Sequence, residues 1–256
     1  MRVTQLFGFS AAEIALIAMV MMLAGFVKGV IAFAFPIVVI AILANLIEPA
    51  KAVALGLIPG FFTSVFQVRF AHVPSLLRRF RLLMLAIFGG IWIGASIAAV
   101  LKPAAFMVLL GLMTLSASVL FWFNPRFEIA PGKQAAAGVG FGLASGIFGG
   151  FSTVFGPPVV MYMIGIGMRR EEFVAAVALI FTLSWVVVIS VFGTLGLLTP
   201  QDLKLSALLT IPALFGLWLG EQMRKRIDQE LFRRLVLAGL ALSGMRLVMA
   251  NLPDLV

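Results

Sequence analysis

The chain has no cysteine, one histidine and one tyrosine, and only ten acidic residues among 256. Without cysteine there is no disulfide, no thiol nucleophile, no thiolate-bound metal and no cysteine-linked lipid. His72 alone cannot build a histidine metal site. The thirteen methionines are scattered, with no recurring spacing to His or Cys that would suit copper. A membrane enzyme needs a nucleophile, metal ligands or an acid pair. Glu13, Glu48, Glu171 and Glu172 all stand near the ends of apolar runs, none in the middle. That scarcity excludes most catalytic chemistry and argues against a metal-cation carrier. No cofactor is expected.

Charged residues make up 11% of the chain, less than half the usual share of about 25% in a soluble domain. What is present instead is apolar: 62% of residues, with a mean hydropathy of +1.16. The apolar runs span roughly 11–28, 30–47, 52–68, 82–101, 104–123, 134–148, 157–168, 173–196, 205–220 and 231–250. This pattern defines an all-α polytopic membrane protein. The net charge of +9 comes from Lys and Arg between the runs. That is the signature of topology, with cytoplasmic loops held by basic residues, and not of nucleic-acid binding. The first run is longer than a signal-peptide core and no convincing cleavage site follows it.

Two stretches resemble each other, and each interrupts its own apolar run. The first is Ala24-Gly-Phe-Val-Lys-Gly29, followed by Pro36; the second is Phe141-Gly-Leu-Ala-Ser-Gly146, followed by Gly149, Gly150, Ser152, Thr153 and Pro157-Pro158. Gly25 and Gly29 align with Gly142 and Gly146 at an offset of 117, and Gly90-Ile-Trp-Ile-Gly94 aligns with Gly216-Leu-Trp-Leu-Gly220 at 126. The chain therefore reads as two transmembrane repeats, 1–125 and 126–256, of about five segments each. The basic loops 69–81 and 221–234 are not equivalent positions in the repeat. If both are cytoplasmic, the repeats have inverted topology. The breaks at Gly29–Pro36 and Gly146–Pro157 cannot each belong to a single interrupted crossing, because the basic loops would then fall on opposite sides. Either both members of each pair cross, or each pair dips in and returns as a re-entrant hairpin.

These residues resemble the TSUP family, the sulfite exporter TauE/SafE proteins. The resemblance rests on Gly142-Leu-Ala-Ser-Gly146-Ile-Phe-Gly149-Gly150, on Gly156-Pro-Pro-Val-Val-Met-Tyr162, on Arg169-Arg170-Glu-Glu-Phe173, and on Gly220 leading into Arg224–Arg226 and Leu231–Arg234. The first copy departs from it: Ala32-Phe33-Ala34-Phe35 stands where the family often has glycines, and Lys28 stands where the second copy, at this alignment, has Ser145. The resemblance implies a multi-pass protein of the cell membrane, in a prokaryote the cytoplasmic membrane. It implies export or uptake of small sulfur-containing anions such as sulfite, sulfonates or sulfoacetate. Coupling to protons, exchange and passive passage all stay open, as do a passive anion channel and a carboxylate carrier.

The physical reading of the breaks agrees. Proline near the start of a half-helix sacrifices no hydrogen bond, and the exposed N–H groups there carry about half a positive charge, which stabilises an anion. Two such ends, at Pro36 and Pro157, would meet near the midplane under inverted symmetry. Gly29, Gly146, Gly149 and Gly150 would let the backbone approach the ligand, and Ser145, Ser152 and Thr153 would supply hydroxyls. Lys28 is the one cation deep in an apolar run: either it faces the anion or it snorkels to the interface. Tyr162 either reaches the site or sits at the interface. Thr63 and Ser64, and Thr182 and Ser184, either line a pathway or bond their own helix. Asn45 is a candidate cap for a half-helix, and Glu13 and Arg246 a candidate structural pair. The expected partners are a small anion and the lipid bilayer, with oligomeric state open.

Overall fold

A computed structural model describes residues 7–123, 127–224 and 226–255. Arg2 and Lys225 lie outside the described residues, as do the side chains of Arg170, Glu171 and Arg233. Ten α-helices follow one another: α1 (Ala11–Ile31), α2 (Phe35–Leu43), α3 (Pro49–Val65), α4 (Val73–Val100), α5 (Pro103–Phe123), α6 (Gln134–Ser152), α7 (Gly156–Gly165), α8 (Arg170–Thr194), α9 (Pro200–Met223) and α10 (Gln229–Asn251). There is no strand among the described residues. Seven helices (α1, α4, α5, α6, α8, α9 and α10) are long and apolar enough to cross a bilayer. The protein is an all-α, multi-pass membrane protein.

The local chemistry explains several helix ends. Ser10 caps α1 by accepting the N–H of Glu13, whose carboxylate in turn accepts the Ser10 N–H at 2.7 Å. Thr199 and Asp202 repeat that reciprocal box at the start of α9. Glu13 thus turns back onto Ser10 and does not reach for Arg246. Asn45 does cap a half-helix, donating to the Ala41 carbonyl of α2 at 2.8 Å. Helix α4 begins well before residue 82, because Val73-Pro-Ser opens a turn ahead of the apolar run. A non-helical residue, Phe80 (φ −105°, ψ 16°), separates that basic first part from the apolar remainder.

Glycines set the packing. A Cβ on Gly25 or Gly29 would run into the carbonyls of Ala213 and Leu217, and one on Gly216 or Gly220 into those of Met22 and Phe26. The α1–α9 seam therefore needs bare backbone on both helices. The α4–α6 seam is built the same way: Gly90 and Gly94 lie on the carbonyls of Leu143 and Ile147, and Gly146 and Gly150 on those of Ile87 and Ile91. In both seams the residue numbers rise together, so each pair is parallel. The two seams match contact for contact when Gly90 and Gly94 are set against Gly216 and Gly220. Gly25 occupies the place of Gly146, and Gly29 that of Gly150, an offset of 121 and not 117. The physical reason is that Gly142, Gly146 and Gly150 stand one turn apart on one face. A slip of four residues leaves the glycine face unchanged.

Helix α3 runs parallel to α9, since Ile58 meets Ser206 and Gln67 meets Glu221. Helices α4 and α8 run together in the opposite sense: Arg79 and Glu172 pair near their starts, and Ala98, Leu101, Phe192 and Leu197 line one cavity near their ends with Pro49 of α3. So α1, α3 and α9 point one way, and α4, α6 and α8 the other. Because α1 and α3 are parallel, the short α2 must bring the chain back between them. A single interrupted crossing by α1 and α2 is excluded. The first members of the pairs are long, α1 having 21 residues or about 31 Å of rise, and the second members are short, α2 having nine residues or about 14 Å. The face holding the end of α3 and the starts of α4 and α8 carries Arg69, Arg78, Arg79, Arg81 and Arg169, whereas the opposite face holds Lys51, Lys102 and Lys204.

Candidate functional site at the two helix breaks

Both interruptions have the same backbone form. Helix α1 ends on Ala32 (φ 83°), whose N–H donates to the Lys28 carbonyl; α6 ends on Thr153 (φ 63°), whose N–H donates to the Gly149 carbonyl at 2.7 Å. Left-handed conformation costs a residue with a Cβ roughly 1–2 kcal/mol, and is rarer still for a β-branched residue such as threonine. Strain at both breaks is the kind of outlier that collects at functional sites. The breaks therefore lie at 32–34 and 153–155, a few residues beyond where the glycines had placed their starts.

The two breaks meet. A Cβ on Gly156, the first residue of α7, would stand 3.7 Å from the Phe33 ring and 3.9 Å from the Phe33 carbonyl. Helices α2 and α7 thus bring their N-terminal ends to one place. Neither has a side-chain cap. In the first turn of α2 the N–H groups of Phe35 and Ile37 have no intrahelical partner, and Pro36 has no N–H. In α7, Pro157 and Pro158 remove two donors in a row and leave Gly156. The donor set is thin, and α2 supplies more of it.

Lys28 lies on the last turn of α1, 2% exposed. Its ammonium donates to Ser64 at 2.7 Å and to Thr63 at 3.2 Å, both fully buried on α3. Those hydroxyls donate in turn to the Gly60 carbonyl, at 2.8 and 3.1 Å. No carboxylate lies within ion-pair distance of Lys28 among the described residues. Glu221, whose backbone N lies against Gly29, has an exposed side chain that accepts from Gln67. Two neutral hydroxyls hold a buried cation with one ammonium proton to spare. Lys28 does not snorkel.

The same turn of α3 carries the contact to the second break. A Cβ on Gly60 would collide with the indole of Trp185, and that ring packs edge-on against Phe155 at 5.0 Å. Phe155 also meets Phe181 at 5.7 Å and covers Gly149, where a Cβ would overlap it. Upstream, Pro59 leaves the Leu55 carbonyl without its N–H partner. Ser206 of α9 fills that gap: it donates to the Leu55 carbonyl at 2.9 Å and accepts from the Ile58 N–H at 3.2 Å.

Several expected site residues take other places. Gly29, Gly146 and Gly150 face neighbouring helices, so their missing Cβ serves packing and not a ligand. Ser145 donates to the Phe155 carbonyl at 2.6 Å and ties down the second break. Ser152 bonds its own helix at Phe148, and Thr153 the carbonyl of Ser152. Tyr162 reaches away, toward the Gln134 carbonyl at the start of α6 and the Phe80 ring. Lys28, Pro36, Gly149 and Pro157 stay at the breaks. Thr182 and Ser184 bond the carbonyls of Ala178 and Ile180 in their own helix. Sequence reasoning missed the grip of Thr63 and Ser64 on Lys28. It also missed Trp185, Phe155, Ser206 and Glu221. A Pro-Gly pair followed by Thr-Ser in one apolar helix was the available signal.

A multi-pass helical bundle interrupted at two converging breaks is an architecture found among membrane transporters. A family profile described as "Sulfite exporter TauE/SafE" matches residues 17–247, and the chain belongs to that family of membrane transporters. No curated protein and no solved structure matches it.

Proposed function

We propose that the protein is a carrier of small sulfur-containing anions of the sulfite, sulfonate or sulfoacetate type across the cytoplasmic membrane. In this reading the anion sits between the N-terminal ends of α2 and α7 and is met by Lys28, with Thr63 and Ser64 holding the ammonium in place. The observation that carries the reading is a fully buried lysine held by two hydroxyls, with no carboxylate in ion-pair contact among the described residues and Glu221 acting on it only from farther off. Such a charge is costly in lipid unless a mobile counter-ion shares it. The opposed directions of α1 and α6, α3 and α8, and α4 and α9 support inverted repeats. The basic face, rich in arginine, is then cytoplasmic. Closure favours a carrier over an open channel: Lys28, Thr63 and Ser64 have 0–2% exposure, so a ligand reaches them only after helices move.

Counterflow in proteoliposomes tests this. Vesicles preloaded with unlabelled sulfite should accumulate labelled sulfite or a labelled sulfonate saturably, and Lys28→Ala should sharply reduce that accumulation at low substrate. Equal rates in Lys28→Ala and the parent protein would remove Lys28 from the site. Uptake of carboxylates alone would replace the substrate class.

A further inference from the structure

A second polar cavity opens on the basic face, away from the helix breaks. It has a volume of about 390 Å³ and is lined by Arg69, His72, Ser75, Leu76 and Arg79, and by Glu172 and Ala175 of α8. That volume is within the range of small-ligand sites, about 300–1,000 Å³. Its floor is apolar and buried, formed by Leu76 and Ala175. Its walls carry two guanidinium groups and the chain's sole imidazole against one described carboxylate.

That carboxylate does not satisfy the cations. Glu172 stands 3.5 Å from Nη1 of Arg79, with both side chains about half exposed. A tight charge-assisted bond is about 2.7–2.9 Å, so the pair is loose. Arg69 and His72 have no side-chain partner among the described residues. The Arg79 guanidinium carbon also lies 5.3 Å from the centre of the Phe80 ring, at the kink of α4. The starts of α4 and α8 both open on the cavity, since Ser75 and Glu172 belong to their first turns. Two positive helix ends add to the guanidinium field.

We propose that this cleft is a separate binding site for an oxyanion, taken by Arg69 and Arg79 in place of the loose contact with Glu172. The shared chemistry is a tetrahedral or trigonal oxyanion facing a planar guanidinium. It comes either from a dissolved anion or from the phosphate of an anionic lipid headgroup at the bilayer edge. The cleft is independent of the Lys28 site, and its test is arranged so that failure of one does not decide the other.

The experiment uses the full chain carrying Lys28→Ala, in nanodiscs of phosphatidylcholine, titrated calorimetrically with inorganic phosphate and with sulfite. Binding should persist there, and should weaken about tenfold or more when Arg69→Ala or Arg79→Ala is added, given about 1.5–3 kcal/mol per charged hydrogen bond. Glu172→Gln should tighten binding by a few-fold, a gain that a misfolded protein cannot produce. Repeating the titration in phosphatidylglycerol nanodiscs separates the sources. Unchanged affinity identifies a dissolved anion. Lost affinity, with phosphatidylglycerol retained by the parent chain and not by the arginine variants, identifies a lipid headgroup. No binding, or binding indifferent to Arg69, Arg79 and Glu172, overturns the proposal.

Discussion

The two breaks share a backbone and differ in what fills them. At the first, Lys28 occupies the position four residues before the left-handed Ala32, and hydroxyls from α3 surround its ammonium. At the second, the equivalent position is Gly149, and Phe155 lies over it with Trp185 and Phe181 behind. One half supplies charge and the other supplies an apolar wall. Near-symmetric backbones are therefore filled asymmetrically: a cation on one side, and on the other an apolar surface that excludes water and strengthens the field of that cation.

The largest expected effect tests the charged side. Lys28→Ala should lower anion affinity by about 30-fold or more, from the loss of about 2–3 kcal/mol of charged hydrogen bonding. Lys28→Arg should lose less, because it keeps the charge but fits the two hydroxyls poorly. Transport KM across an anion series measures both. On the aromatic side, Gly149→Ala should destabilise the fold by about 1–3 kcal/mol through overpacking against Phe155. Adding Phe155→Leu should recover part of that loss. A thermal-unfolding cycle of the two variants reads the coupling, and strict additivity would show that the ring does not cover Gly149.

Smaller effects sharpen the comparison further. Ser206→Ala should lower stability by about 1–3 kcal/mol, because the Leu55 carbonyl beneath Pro59 then has no donor. Its thermal midpoint should fall while anion selectivity holds. The smallest effect is expected at the caps. Ala32→Gly should raise stability by about 1 kcal/mol by relieving a left-handed alanine. Thr153→Gly should gain less, since it also loses the bond to the Ser152 carbonyl. A larger gain at Thr153 would mean that relief of the β-branched residue outweighs the lost hydroxyl bond.

The membrane class, the ten segments and the existence of two breaks were legible from composition and from the Gly and Pro positions. The register of the repeat was not, because glycines at 142, 146 and 150 offer the pair Gly25 and Gly29 two equivalent alignments on one face. Only the carbonyls they touch choose between them. For the same reason glycine was overread as ligand-facing when it serves the seams with α4 and α9. Lys28 was visible as a lone cation in an apolar run. Its partners were not, because Thr63 and Ser64 lie 35 and 36 residues away on another helix. Side-chain direction also escaped the sequence: Tyr162 follows Pro158 by one turn, yet points back to Gln134.

The bare seams have a consequence for how such a molecule can rock. Helix α1 is fused at backbone distance to α9, and α4 to α6, so each weld joins the first part of the polypeptide to the second. A rigid unit of this bundle is then neither the first nor the second half of the sequence but a pair drawn from both. Any motion that keeps both welds intact shifts one cross-chain pair against the other, α1 moving with α9 and α4 with α6.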